Sequence, residues 1–482
     1  MSSPTSPAPG QSPSFAITSP ADILSYIPHA LGFLPDESLV VLTTTGRRLG
    51  ATLRVDLPAD EAAPLAFAEG VLSFLQGDTG ADGTLLVIYT KETWQRLEPP
   101  PRNRFVGTID AVLRAAGLPV RAGWLVSPSG WRDFFCADEE CCPWPGQPLD
   151  AVLSSPLNAE LIFGGSAFDA SPSEAVLRVV PAVGGQVAAS APGRRAVEDA
   201  QAHFAACCAG RWTAPVQFRA TSALWDAVIL RPEVFEAEAE PGIAGFLLAS
   251  IESRAVRDFL LVSACLGSGR ALAGAAACGL LGSADSPAVP SGIPSVDASA
   301  GASARPPARP DSAHLRPSGS PAPTAAWVLP DARRAGELRT ALAGVAATMA
   351  EPATSTTTAG SGAPTTGGGA ALLYTDVLAG RHTGAIAWSR VDAMACILAR
   401  LAAVSEGESR AAALTMSAWF DYARGRGSRA AVYLEAAERA VPGYRLARLL
   451  HELLRRGGLP AWARARSTAW TPGPPPAPPD AA

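Results

Sequence analysis

Thr84-Leu85-Leu86-Val87-Ile88-Tyr89 is an almost wholly apolar run of strand length. Such a run fits a strand buried on both faces. A helical pattern follows over 103–116, closed by Gly117-Leu118-Pro119, and then a second strand pattern over 120–127. Strands separated by a helix imply a parallel crossover, and a parallel crossover implies helices layered on a sheet. Upstream, Ser38-Leu39-Val40-Val41-Leu42-Thr43 and the alternating run from Ala51 to Leu57 flank Gly46-Arg47-Arg48 and read as an antiparallel hairpin. Residues 60–76 look helical. Ser19-Pro20-Ala21-Asp22 opens another helix: Ser19 can cap, Pro20 suits the first turn, and Asp22 favours the positive end. Pro28 is expected to bend or end that helix, and Gly32 to close the segment. Downstream comes an aromatic run from Trp131 to Phe135. The expected fold class of 15–182 is therefore α/β, a mixed sheet flanked by helices.

From residue 194 onward the pattern turns helical, with candidates at 194–208, 219–229, 243–266, 331–349, 384–404, 407–424, 429–440 and 443–456. The expected organisation is a helical region at 194–281, a helix at 331–349 and a helical, tetratricopeptide-like region at 384–465. The repeat-like spacing counts back from Pro442 through Ala437, Leu434 and Ala430, with Ala418 and Leu414 on the preceding helix. Small residues at those places let two antiparallel helices approach, although one repeat cannot bury its own face. A generic helical hairpin fits the same spacing. Segments 1–14, 283–325, 352–369 and 466–482 are rich in Ser, Pro, Ala, Gly and Thr, and are expected to be disordered or linkers.

Composition removes several functions. The formal net charge is −5 and the pI about 5.7, which is no electrostatic footprint for nucleic acid. Of 39 basic residues all but Lys91 are arginine. Lys91 follows no glycine-rich loop and lies in no context suited to a P-loop, a conventional protein kinase or a pyridoxal-phosphate Schiff base. The opening MSSPTSPAPGQSPS lacks the basic start and apolar stretch of a signal peptide, and no apolar run reaches transmembrane length. A cytoplasmic protein is expected, with no membrane contact and with its eight cysteines as thiols.

The chemistry-bearing residues fall into two groups. Cys136, Cys141 and Cys142 surround the acidic turn Asp138-Glu139-Glu140. They read as packed thiols, as a disulfide or redox pair, or as three ligands to zinc with a fourth from His203, Cys207 or Cys208. The second group lies where strands end, since an open sheet leaves a crevice at its carboxyl edge. Candidates there are Thr43-Thr44-Thr45, then Thr90, Lys91 and Glu92, then Ser127 and Ser129. The plain alternative is solvated turns that cap the next helix. Trp94, Trp124, Trp131 and Trp144 line either a pocket or a core. Gly164-Gly165-Ser166-Ala167-Phe168 fails the nucleophile-elbow pattern at its last position, and His451-Glu452 lacks the second zinc histidine. His29, His203, His314, His382 and His451 stand singly.

The run from Ile17 to Val41, the Arg54-Val55-Asp56-Leu57-Pro58 strand, the aromatic-Cys to Pro stretch at 134–148 and the Pro442–Leu450 helix together resemble the actinobacterial family known as domain of unknown function 4192. The resemblance implies an actinobacterial, cytoplasmic protein and carries no activity with it. The linkers at 283–325 and 352–369 depart from it as insertions between helices. The sequence thus points to a non-catalytic ligand- or protein-binding or scaffolding protein, with a partner docking through 405–465 and no cofactor. Its rivals are a thiol-dependent enzyme or redox protein using the cysteine cluster, and a structural zinc site.

Overall fold

The computed structural model describes residues 17–60, 62–180, 191–281, 327–331, 336, 338–350, 367–456, 459–465 and 467–471. The segments expected to be disordered at 1–14 and 283–325 lie outside these residues, as do 352–366, 466 and 472–482. Of the remaining residues expected to be linker or tail, 367–369 open a helix, and 467–471 are placed against the helical half, where Trp470 Nε1 donates to Asp392 at 3.3 Å.

Strands β1 (Ser38–Thr45), β2 (Arg48–Asp56), β3 (Gly83–Tyr89), β4 (Val120–Ser127) and β5 (Gly130–Asp133) make one sheet in the order β2-β1-β3-β4-β5. β3 and β4 are parallel, and the other neighbours antiparallel. The aromatic run after β4 begins as strand, because Ser127 and Gly130 close a tight turn that pairs it back.

Strand periodicity divides the sheet's side chains between two cores. Leu39, Val41, Leu86 and Ile88 meet Val71 and Leu75 of α2 (Pro64–Leu75) and Phe105 and Ile109 of α3 (Asn103–Ala115). Val40, Leu42, Val87 and Tyr89 meet Leu24 and Ile27 of α1 (Pro20–Leu31). Each fully buried aliphatic side chain contributes about 1.5–3 kcal/mol. Ser19 and Asp22 form the capping box of α1. The helix does not stop at Pro28 but runs on to Leu31, because the Pro28 carbonyl still accepts from Gly32 N–H at 2.7 Å. Gly32, at φ 83°, then ends it.

Three short helices follow the sheet: α4 (Asp150–Leu153), α5 (Pro156–Phe163) and α6 (Pro172–Val179). The first two pack on α1. The third leaves the sheet, and its Val176 joins the core of the helical half. The chain therefore changes cores before residue 182. Arg54 Nη1 also crosses between the halves, donating to Ser428 Oγ at 3.0 Å.

The helical half comprises α7 (Ala191–Cys207), α8 (Pro215–Ile229), α9 (Pro241–Ile251), α10 (Arg254–Leu266), α11 (Ser268–Ala277), α12 (Arg339–Ala350), α13 (Gly367–Leu378), α14 (Trp388–Val404), α15 (Gly407–Ala423), α16 (Gly427–Ala440) and α17 (Arg445–Arg455). The single helix expected over 243–266 is two, broken where Ser253 turns extended. The helix expected over 331–349 begins at Arg339. α15 and α16 form the expected antiparallel hairpin around Gly425 at φ 77°, with Leu414, Ala418, Ala430, Leu434 and Ala437 buried between and around them. The hairpin is not an open repeat surface. α15 is buried along almost its whole length and is covered by α9, α10, α14, α16 and α17. A partner at 405–465 would meet the outer faces of α16 and α17, not α15. No described helix is long and apolar enough to cross a membrane.

Candidate ligand pocket and cysteine cluster

A cavity of about 320 Å³ opens at the carboxyl ends of β3 and β4. α1 contributes Leu24, Ser25 and Pro28; the strand ends contribute Tyr89, Thr90, Val126 and Ser127; α4 and the loops close it with Val152, Leu153 and Phe168. The walls are mainly apolar, with Ser25, Thr90, Ser127 and Asn158 as the polar points, and Asp36 and Lys91 also line it. Parallel neighbours end side by side, so their following loops splay and leave a crevice.

Of the residues singled out from the sequence, Thr90, Lys91 and Ser127 line this cavity. Lys91 Nζ is bound to Asp36 at 2.6 Å, and that carboxylate raises the lysine's pKa. Lys91 N and Thr90 Oγ1 both donate to Glu37 Oε1. Glu92 points elsewhere, into an ion pair with Arg102 at 2.7 Å. Ser129 is exposed and bonds Ser127 Oγ at 2.8 Å, beside the cavity rather than in its wall. Thr43, Thr44 and Thr45 stand at the other end of the sheet, because β1 runs antiparallel to β3 and pairs Thr43 with Thr84. There they bind Asp78, Asp82 and the Gly80 carbonyl. The four tryptophans considered for a pocket do not line this one. Trp124 is core, and Trp94 and Trp144 both contact the Arg132 guanidinium, at 5.4 and 5.2 Å from their ring centres.

Behind the cavity runs a polar chain that the sequence did not disclose. Ser25 Oγ accepts from Ser155 Oγ, which in turn accepts from Asn158 N. Asn158 Nδ2 donates to the Leu153 carbonyl at 2.6 Å, so its Oδ1 faces His29 Nε2 at 2.9 Å. A carbonyl can only accept, so this orientation places the ring proton on Nε2. Nδ1 then accepts from the Ser166 hydroxyl at 2.9 Å. Serine, histidine and asparagine are thus in relay order. Ser166, however, follows the carboxyl end of α5, where helix carbonyls oppose a developing oxyanion. The N–H groups of Gly165 and Ser166 already donate to Ile162 and Leu161. The chain of hydrogen bonds therefore holds α5 against α1 and fixes the cavity wall.

Asp22 sits at the root of this network and is 1% exposed. Burial pushes its carboxyl up, but hydrogen bonds from Thr18 and Ser19 outweigh that and hold it below the usual aspartate value. They include Thr18 N–H at 3.0 Å and Ser19 N–H at 3.0 Å.

The second cluster lies beyond β5. The sulfurs of Cys136, Cys141 and Cys142 all fall within 4.8 Å of one another. Asp133 Oδ1 accepts from Cys136 N at 3.0 Å, and the Asp138 carbonyl accepts from Cys142 N at 2.8 Å, which folds the acidic turn into this shape. Burial, helped by the two neighbouring thiols, pushes the Cys142 thiol up to about 12. A thiol held protonated is a poor nucleophile. His203 is not the fourth member: it lies on α7 beside Cys207, 3.6 Å from that sulfur. Among the described residues no histidine or carboxylate joins the three sulfurs, and all eight cysteines are free thiols.

No curated protein and no solved structure matches the chain. A family match does cover residues 20–287 and 289–461, and so takes in the sheet, the pocket, the cysteine turn and the helical half. The chain belongs to the family described as Domain of unknown function (DUF4192).

Proposed function

We propose that this chain is a non-catalytic binding protein whose ligand enters the cavity at the carboxyl ends of β3 and β4. The observation that carries the reading is the cavity itself: apolar walls broken only by the polar groups of Ser25, Thr90, Ser127 and Asn158 beside Asp36 and Lys91, each of those four already holding a partner within the protein. Such a lining suits a compact, mostly apolar molecule with one or two polar groups. The only lysine is engaged by Asp36 at the cavity, which argues against a strongly anionic ligand there. Its eight free thiols support a reducing compartment, and we place it in the cytoplasm of an actinobacterium on that ground and on the resemblance. Native mass spectrometry of the full chain from its own host tests the binding. The expected result is a co-purifying small molecule that is lost when Val152→Trp fills the cavity of a still-folded protein. A molecule retained unchanged in that variant, or none found in the wild type, sinks the proposal.

The cysteine turn favours a second reading, a bound zinc ion. Zn–S bonds of about 2.3 Å put tetrahedral sulfurs about 3.8 Å apart, so three sulfurs already clustered need little movement to hold one ion. Solvent would take the fourth position, since Cys141 is exposed. Elemental analysis of protein purified under reducing conditions should find one zinc per chain, lost in Cys141→Ser. Stoichiometric zinc that survives that substitution, or three freely alkylated thiols and no zinc, refutes this reading.

A further inference from the structure

A second cavity, of about 370 Å³, lies in the helical half and is lined by Arg400, Arg424, Arg426 and Arg429 together with Asp392, Asp421, Tyr433 and Trp470. Its charges do not balance. Arg424 bonds Asp392 at 2.6 Å and Asp421 at 3.2 Å, and Arg429 bonds the same Asp421 at 3.1 Å. Two guanidiniums thus share one buried aspartate. Arg400 is turned to the carbonyls of Pro232 and Phe235, with Glu236 3.8 Å away. Arg426 has no carboxylate within ion-pair distance among the described residues, and its guanidinium lies 4.1 Å from the centre of the Trp470 ring. Burial first, then Arg429 and Arg424 beside it, push Arg426 down to about 10 against the opposing pull of Asp421 and Asp392.

Uncompensated charge is costly away from water, and a guanidinium fork matches the oxygens of a phosphate. We infer that this cavity binds a phosphate monoester, its phosphate on Arg426 and its organic part against Trp470 and Tyr433. The site shares no residue with the β3–β4 cavity and stands or falls separately from it.

Calorimetric titration of the full chain with inorganic phosphate and with phenyl phosphate, in chloride buffer of matched ionic strength, tests the inference. Phenyl phosphate should bind, and more tightly than inorganic phosphate. Arg426→Gln should weaken it at least about tenfold, the size of one charge-assisted hydrogen bond. In the wild type, phenyl phosphate should also protect Arg426 from phenylglyoxal, read by peptide mass, so the test survives a variant that fails to fold. Absence of binding, equal binding to a folded Arg426→Gln, or unprotected Arg426 overturns the site. Binding of inorganic phosphate alone overturns the monoester and leaves free phosphate as the occupant.

Discussion

In the sheet half, polar groups collect at strand ends and helix caps, around two cores built from aliphatic and aromatic side chains. In the helical half, charge is carried inside: Asp421, Arg424 and Arg429 have side chains 3%, 8% and 11% exposed. A sheet presents two flat faces that alternation fills with apolar groups, whereas a helix enclosed on all sides, as α15 is, must find partners for whatever its sequence places inward. The first design tolerates local change. The second couples distant residues through shared charges.

That contrast predicts an order of sensitivity. Asp421→Ala leaves two buried guanidiniums without their shared partner and should cost about 3–5 kcal/mol in urea unfolding, the largest effect. A loss below about 1 kcal/mol would mean that water already solvates those arginines. Leu86→Ala, at a fully buried point on the central strand β3, should cost about 2–5 kcal/mol through transfer and cavity terms. If the halves unfold as separate units, Leu86→Ala should move only one of two transitions. One shared shift would show that α6 and the Arg54–Ser428 bond couple them.

Ser19→Ala removes a helix cap and should cost about 1 kcal/mol. Its neighbour Asp22 gives a pH signature. The folded carboxyl is held below its unfolded value, so its stabilisation is complete above the ordinary aspartate range and is lost as pH falls through the depressed value. Asp22→Asn should flatten the acid limb of the stability profile, and an unchanged limb would contradict the assigned hydrogen bonds. Lys91→Met breaks only the exposed pair with Asp36 and should change stability by less than about 1 kcal/mol. A larger loss, seen by thermal unfolding, would make Lys91 part of the cavity's structure.

Much of the architecture could be read from the sequence. The apolar run of β3, the β1–β2 hairpin, the α1 cap and the small-residue hairpin of α15 and α16 all depend on spacing within a single segment. Glycine misled that reading. α13 opens on Gly367-Gly368-Gly369 and did not stand out as a helix; α11 lies within the region expected to be helical, and its Gly274 leaves room for Tyr374 of α13, to which a Cβ would lie 2.7 Å. In the site, the carboxyl ends of β3 and β4 were anticipated because a crossover implies a crevice. His29, Asn158 and Ser166 were not, since no local signal joins three segments so far apart.

By itself, the sequence determined most of the strands and helices, though not every boundary, and that three thiols would share one turn, because helix, strand and turn follow from steric and apolar periodicity over a few residues. Tertiary structure decided which strand ends meet, sending Thr43–Thr45 to the far edge and His203 to Cys207, and it gathered four arginines around a cavity. Pairing direction and charge balance depend on contacts between segments far apart in the chain, which no local pattern encodes.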